Sequence, residues 1–197
     1  FHRPDRVFSL ALSMTGRYVL VGDRAGGCAF YDLDTEISAI NTSSNFPTSP
    51  LGIQGSSRSM KSPTPLFEVT FKDRVFCVAL SPDGEMFAIA GVAKEVWLFR
   101  TKTRIMLNCF KVDGPIYWGL SFSADGKALA AGGEDNCVTI WNTHTFERML
   151  YLPRKGVVHS LDFSNDSLIL AVGTKAVIYG GRGKAEWTWR DRPDFEI

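Results

Sequence analysis

The chain has 197 residues, of which 45% are apolar and 22% charged. That is the composition of a globular domain, and it excludes a collagen, a coiled coil and a disordered tail. Lys and Arg number 22 against 21 Asp and Glu, a net charge of +1, which gives no electrostatic case for nucleic acid or an anionic membrane as partner. No apolar run approaches the ~18 residues of a membrane span, and no signal-peptide pattern is visible. An intracellular protein is expected, cytoplasmic by default with the nucleus left open. The four cysteines, Cys28, Cys77, Cys109 and Cys137, form no C-x-x-C pair. They lack zinc-like or thioredoxin-like spacing and are expected to be reduced and mostly buried.

Taken in chain order, the first predicted element is a strand at Val7–Leu12, closed by a turn at Ser13-Met14-Thr15-Gly16. A second strand runs from Tyr18 to Gly22, and a third ends on Phe30-Tyr31. After a long polar stretch, Leu66 to Phe71 reads as a fourth strand. The pattern then restarts. Val75–Leu80 leads into Ser81-Pro82-Asp83-Gly84, Met86 to Gly91 follows, then Trp97-Leu98-Phe99, then Ile105 to Phe110. A third copy runs from Ile116 through Ser123-Ala124-Asp125-Gly126, Ala128 to Gly133, Ile140-Trp141 and Arg148 to Leu152. A fourth runs from Val157 through Ser164-Asn165-Asp166-Ser167, Leu168 to Gly173, Ile178-Tyr179 and Ala185 to Trp189.

The turn residues Gly16, Gly84, Gly126 and Ser167 are 68, 42 and 41 positions apart. The last two intervals are one repeat; the first is one repeat plus an insertion. The strands are short and rich in Val, Ile, Leu and aromatics. Proline presets φ in these turns, aspartate bonds its own backbone, and glycine tolerates positive φ. Glycines closing the second strands allow close backbone approach between crowded sheets. No segment has a helical period.

Four strands in about forty residues, with an aromatic closing the third, resemble the WD40 repeat. The best match is Gly132-Gly133-Glu134-Asp135-Asn136-Cys137-Val138-Thr139-Ile140-Trp141-Asn142. Asp135 falls at the family's turn aspartate and Trp141 at its tryptophan; Tyr31-Asp32 is a looser closing dipeptide. Gly16, Gly84, Gly126, Tyr31, Phe99 and Trp141 are the structural repeat positions. The resemblance implies an all-β, WD40-type β-propeller segment of about four four-stranded antiparallel blades, over residues 5–71, 74–110, 115–152 and 156–190. The family's Gly-His is replaced by Lys72-Asp73-Arg74, Val112-Asp113-Gly114 and Arg154-Lys155-Gly156. Its histidine–serine–tryptophan–aspartate hydrogen-bond network is therefore incomplete, and packing must carry more of the stability. The fourth repeat is the most divergent, with its second hairpin shortened around Thr174-Lys175. Arg3-Pro4-Asp5 recurs as Arg192-Pro193-Asp194, so the chain is expected to be part of a longer ring, or to self-associate if it is not.

The insertion spans residues 37–65. From Asn41 to Pro65, fourteen of twenty-five residues are Ser, Thr or Pro. Such a stretch buries too little apolar surface to offset its ordering entropy. It is expected to be a flexible excursion from the bottom rim. Ser49, Ser62 and Thr64 each precede proline and are candidate phosphorylation sites.

No nucleophile elbow, Walker A loop or dinucleotide fingerprint occurs. His159-Ser160-Leu161-Asp162 holds three catalytic residue types, but alternate strand positions face opposite ways. It reads as a strand with partly buried polar groups. Trp187 and Trp189 read as packing against a neighbouring blade. No catalytic residue, metal site or cofactor is expected. The turns at the top face carry both signs of charge, and Asp73, Arg74, Asp113, Glu134, Asp135 and Lys155 are the candidate partner-binding residues. The expected function is a non-catalytic scaffold that binds other proteins or peptides. The alternatives are a propeller enzyme and a regulatory or sensory arm of a larger protein.

Overall fold

The computed structural model describes residues 6–34, 64–112, 114 and 117–175. The elements in chain order are β1 (Val7–Leu12), β2 (Tyr18–Asp23), β3 (Gly27–Asp32), β4 (Phe67–Thr70), β5 (Val75–Leu80), β6 (Met86–Gly91), β7 (Glu95–Arg100), β8 (Met106–Lys111), β9 (Tyr117–Phe122), β10 (Ala128–Gly133), β11 (Cys137–Asn142), β12 (Arg148–Pro153), β13 (Val157–Phe163) and β14 (Leu170–Lys175). They form three four-stranded antiparallel meanders, β1–β4, β5–β8 and β9–β12, and the hairpin β13–β14. These are four successive blades of a β-propeller. Most of the insertion, Trp187, Trp189 and the third and fourth strands expected after Gly173 lie outside the described residues.

Burial explains why the middle strands are apolar at every position. Phe87 and Ile89 of β6 pack against Leu20, Cys28 and Phe30 of blade 1. Their neighbours Ala88 and Ala90 pack against Phe122, Leu129, Ala131 and Trp141 of blade 3. Ala130, Val138 and Ile140 then meet Val158 and Leu161 of blade 4. Blades 2 and 3 are thus covered on both faces, which removes the alternation of a half-exposed sheet. The repeat positions Tyr31, Phe99 and Trp141 are all buried. Phe99 stacks on Phe87 at 4.9 Å between centroids, and Trp141 stacks on Phe110 at 4.7 Å. Cys28, Cys77 and Cys137 are buried and Cys109 is half-buried, all four as free thiols. Burial, with Glu95 nearby, pushes the Cys109 thiol up, and burial alone does so for Cys77.

One turn is built four times. Gly16, Gly84 and Gly126 take φ of 70°, 74° and 72°, and Ser167 takes 61° in the glycine's place. Each donates its N–H to the carbonyl of a serine three residues earlier, at 2.9 Å. In blade 3 the Ser123 hydroxyl donates to Asp125 Oδ1 at 2.6 Å and accepts the Ala128 N–H at 2.9 Å, while Asp125 Oδ1 accepts the Lys127 N–H at 3.0 Å. Ser81 with Asp83, and Ser164 with Asp166, repeat this arrangement. Blade 1 has Thr15 where the others have aspartate, and its hydroxyl lies 3.1 Å from that of Ser13.

Burial would raise the Asp125 carboxyl, but the bond from Ser123, the Lys127 N–H and the Lys127 charge outweigh it and hold it below the ordinary 3.8. The support from a carboxylate lowered in this way is complete above pH 3.8 and fades as the pH falls through its folded value. Ser123→Ala should therefore do two things. It should lower the unfolding free energy by about 1–2 kcal/mol, the cost of an orphaned buried donor. It should also move the Asp125 pKa up. Urea denaturation and carboxylate NMR titration check both; an unmoved Asp125 would show that the hydroxyl is not its main support.

The fourth blade corrects one expectation. Its second strand begins at Leu170, not Leu168. Leu168 stands where Glu85 and Lys127 stand in the other turns, and its N–H is bound by Asp166 Oδ1 at 3.0 Å. Leu168 and Ile169 are consequently exposed. Thr174 and Lys175 are strand residues paired with Val158 and Val157; the second hairpin expected to be shortened around them continues outside the described residues.

Candidate interaction surface

The innermost strands touch in sequence, β1 on β5, β5 on β9 and β9 on β13. Side chains also tie them: the Val78 N–H donates to Ser9 Oγ at 3.1 Å, and the Phe163 N–H to Ser121 Oγ at 3.3 Å. Each of these strands carries a bulge at the same place. Pairing to the next strand of its blade jumps from Val7 to Ser9, from Val75 to Cys77, from Tyr117 to Gly119 and from Val158 to Ser160. The residues left over are Phe8, Phe76, Trp118 and His159. A bulge re-aims the side chain that it carries.

These four rings form one row across four blades. Phe8 and Phe76 have centroids 5.1 Å apart, Phe76 and Trp118 4.7 Å, and Trp118 and His159 5.8 Å. All three pairs are tilted by 33–43°, a normal geometry for aromatic contacts. Phe8 is 44% exposed, Phe76 and Trp118 are half-buried and His159 is exposed. The Trp118 Nε1 atom is buried and has no hydrogen-bond partner among the described residues. The row is thus a partly exposed aromatic strip, the kind of surface that anchors a partner.

The row runs along the end of the blades that bears the charged turns. Gly26, in the turn before β3, lies against the carbonyls of Phe71 and Asp73; a Cβ there would come within 2.5 and 2.7 Å of them. The Val92 N–H donates to Arg74 O at 3.2 Å, and the Arg154 N–H to Asn136 O at 2.6 Å. Asp73, Arg74, Glu134 and Lys155 are exposed here and Asp135 is half-buried. They sit on three different linkers and turns rather than in one cluster. Asp135 Oδ1 accepts the Cys137 N–H at 3.2 Å, so it holds its own turn. Asp113 lies outside the described residues.

Sequence reasoning missed the row, although a signal existed. Phe8, Phe76, Trp118 and His159 each stand eight positions before the turn residue of their repeat. The expectation for His159-Ser160-Leu161-Asp162 is corrected: His159, Ser160 and Asp162 are all exposed. The bulge puts His159 beside Trp118 rather than toward a catalytic partner. Among the described residues, no group of three or more His, Cys, Asp or Glu is placed to hold a metal ion, and no helix is long and apolar enough to cross a membrane.

Comparison with known proteins agrees with the blades. The profile of the anaphase-promoting complex subunit 4 WD40 domain matches residues 78–155. That match covers less than half of the chain; together with the blades it supports a WD40 repeat family. Among similar proteins, the U3 small nucleolar RNA-associated protein 18 homolog of Arabidopsis thaliana is 32% identical over 114 residues, covering 55% of this chain and 20% of that protein. Telomerase protein component 1 of Mus musculus is 26% identical over 121 residues, 61% of this chain and 4% of that protein. THO complex subunit 3 of Arabidopsis thaliana is 26% identical over 97 residues, 49% of this chain and 30% of that protein. The chain thus spans a third or less of each of these relatives. WD40 repeats are in general protein-interaction scaffolds.

Proposed function

We propose that this chain is a non-catalytic docking platform for a protein or peptide, and that the partner seats on the row Phe8–Phe76–Trp118–His159. The observation that carries the proposal is the row itself: four bulges in register bring four rings into line on adjacent blades. A single bulge is a local irregularity. Four at equivalent places build a continuous surface of rigid side chains, which lose little entropy on binding. The flanking charges of Asp73, Arg74, Glu134 and Lys155 would form the polar rim that sets register and on-rate. The matching family model and one relative bear the names of complex subunits, which supports a protein partner.

The test uses a displayed library of random peptides panned on the folded chain. Enriched peptides should lose at least tenfold in affinity, about 1.4 kcal/mol, on the double variant Phe76→Ala/Trp118→Ala. The same peptides should bind unchanged to Met149→Ala/Tyr151→Ala, which alters two exposed residues of the outer strand β12. No enrichment, or equal binding to both variants, would refute this function.

A further inference from the structure

We propose that Thr64 is a phosphorylation site, and that Lys102 and Arg104 hold its phosphate across the seam between blades 1 and 2. Thr64 is exposed and stands immediately before Pro65. Proline drives the preceding residue to extended backbone, and a Thr-Pro step is the pattern a proline-directed kinase reads. From Leu66 onward the chain is tied down, because the Leu66 N–H donates to Phe30 O at 2.8 Å. Thr64 is therefore an accessible residue at the edge of a fixed one.

The receptor lies in the next blade. The turn after β7 brings Arg104 to a φ of 60°, where its N–H donates to Arg100 O at 2.8 Å. The guanidinium reaches over to blade 1. Its Nη2 donates to Leu66 O at 3.3 Å, and its carbon sits 5.0 Å from the centre of the Phe67 ring. It is already parked two residues from Thr64. Two extended residues span at most about 7 Å, less than the joint reach of an arginine and a phosphothreonine. Both cations line a groove of about 390 Å³ between the two blades, with Thr101 and Glu85. The Thr101 hydroxyl is buried with no partner among the described residues. Two cations face one carboxylate, so the groove favours an anion even with Glu85 counted.

The transfer is ordinary kinase chemistry with ATP as donor. The Thr64 hydroxyl oxygen bonds to the γ-phosphorus, the bond to the bridging β,γ-oxygen breaks, ADP leaves, and the hydroxyl proton passes to the kinase's base. The product carries a charge of about −1.5 to −2 and three strong acceptor oxygens. Arginine binds such a group through two parallel N–H bonds. The phosphate would thus pin the segment entering β4 onto the β7–β8 turn and stiffen the seam. This site is independent of the aromatic row.

The full chain is treated with a proline-directed kinase and ATP, and modification is mapped by mass spectrometry. Thermal melting and a phosphorus NMR titration are then run on modified and unmodified protein, for the parent and for Lys102→Gln/Arg104→Gln. Thr64 should be modified in the folded chain. In the parent the modification should raise Tm by about 2–4 °C and lower the phosphate's second ionisation below its usual value of about 6. In the double variant both shifts should vanish. Comparing modified with unmodified protein within each variant cancels any folding cost of the substitutions. A folded chain left unmodified at Thr64 would overturn the proposal, and so would equal shifts in parent and variant.

Discussion

Phe87→Ala should lower the unfolding free energy by about 3–5 kcal/mol, the usual cost of emptying a buried phenylalanine site. Phe87 is 1% exposed. Its ring stacks on Phe99 at 4.9 Å and meets Phe67 at 5.7 Å and Phe30 at 6.4 Å. Two of those partners belong to blade 1 and one to blade 2, so the cavity would open in the seam itself. Relaxation there requires one whole sheet to move against another, which argues for the upper part of the range. Urea denaturation measures it. A cost under about 1 kcal/mol would mean that the blades 1–2 seam contributes little and that the blades stand largely by themselves.

Gly132→Val should cost about 1–3 kcal/mol through overpacking, and its effect should appear at the seam of blades 3 and 4. A Cβ on Gly132 would lie 2.4 Å from Val158 Cγ1 and 2.8 Å from Val158 Cβ. Gly22 makes the equivalent contact at the seam of blades 1 and 2, with Val75 Cγ1 at 2.7 Å. The reciprocal change is the control. Val158→Ala in the Gly132→Val background should recover part of the loss, because it removes the methyl groups that are struck. Unfolding curves of the two single variants and the double check this. Strict additivity would show that the two residues do not press on each other.

The repeat was legible because its punctuation is chemical. Gly16, Gly84 and Gly126 occupy positive φ, and the serine with the aspartate (Thr15 in blade 1) before them bonds the turn shut, so residue type and conformation agree. The both-face burial was legible in the unbroken apolar runs Phe87–Ala90 and Leu129–Ala131. The aromatic row was not. Strand reasoning assumes that side chains alternate, so that positions three apart face opposite ways. Val75 and Val78 nevertheless share the seam with blade 1, and Val158 and Leu161 share the seam with blade 3. The bulge at the residue following Val75 and Val158 resets the phase. Alternation placed His159 as an ordinary strand residue for that reason, and gave no cause to link Phe8, Phe76 and Trp118. The fourth repeat was misplaced for a related reason. Ser167 holds the glycine conformation without being glycine, so Leu168 looked like the start of a strand when it completes a turn.

The most direct test of the docking row is hydrogen exchange of the folded chain with and without a saturating selected peptide. The bulged segments 7–9, 75–77, 117–119 and 157–160 are predicted to gain protection together, because one ligand lies along four adjacent strands. Protection confined to the outer strands β4, β8 and β12, with the four bulges unchanged, would contradict the claim that the aligned rings are the surface this chain presents to its partner.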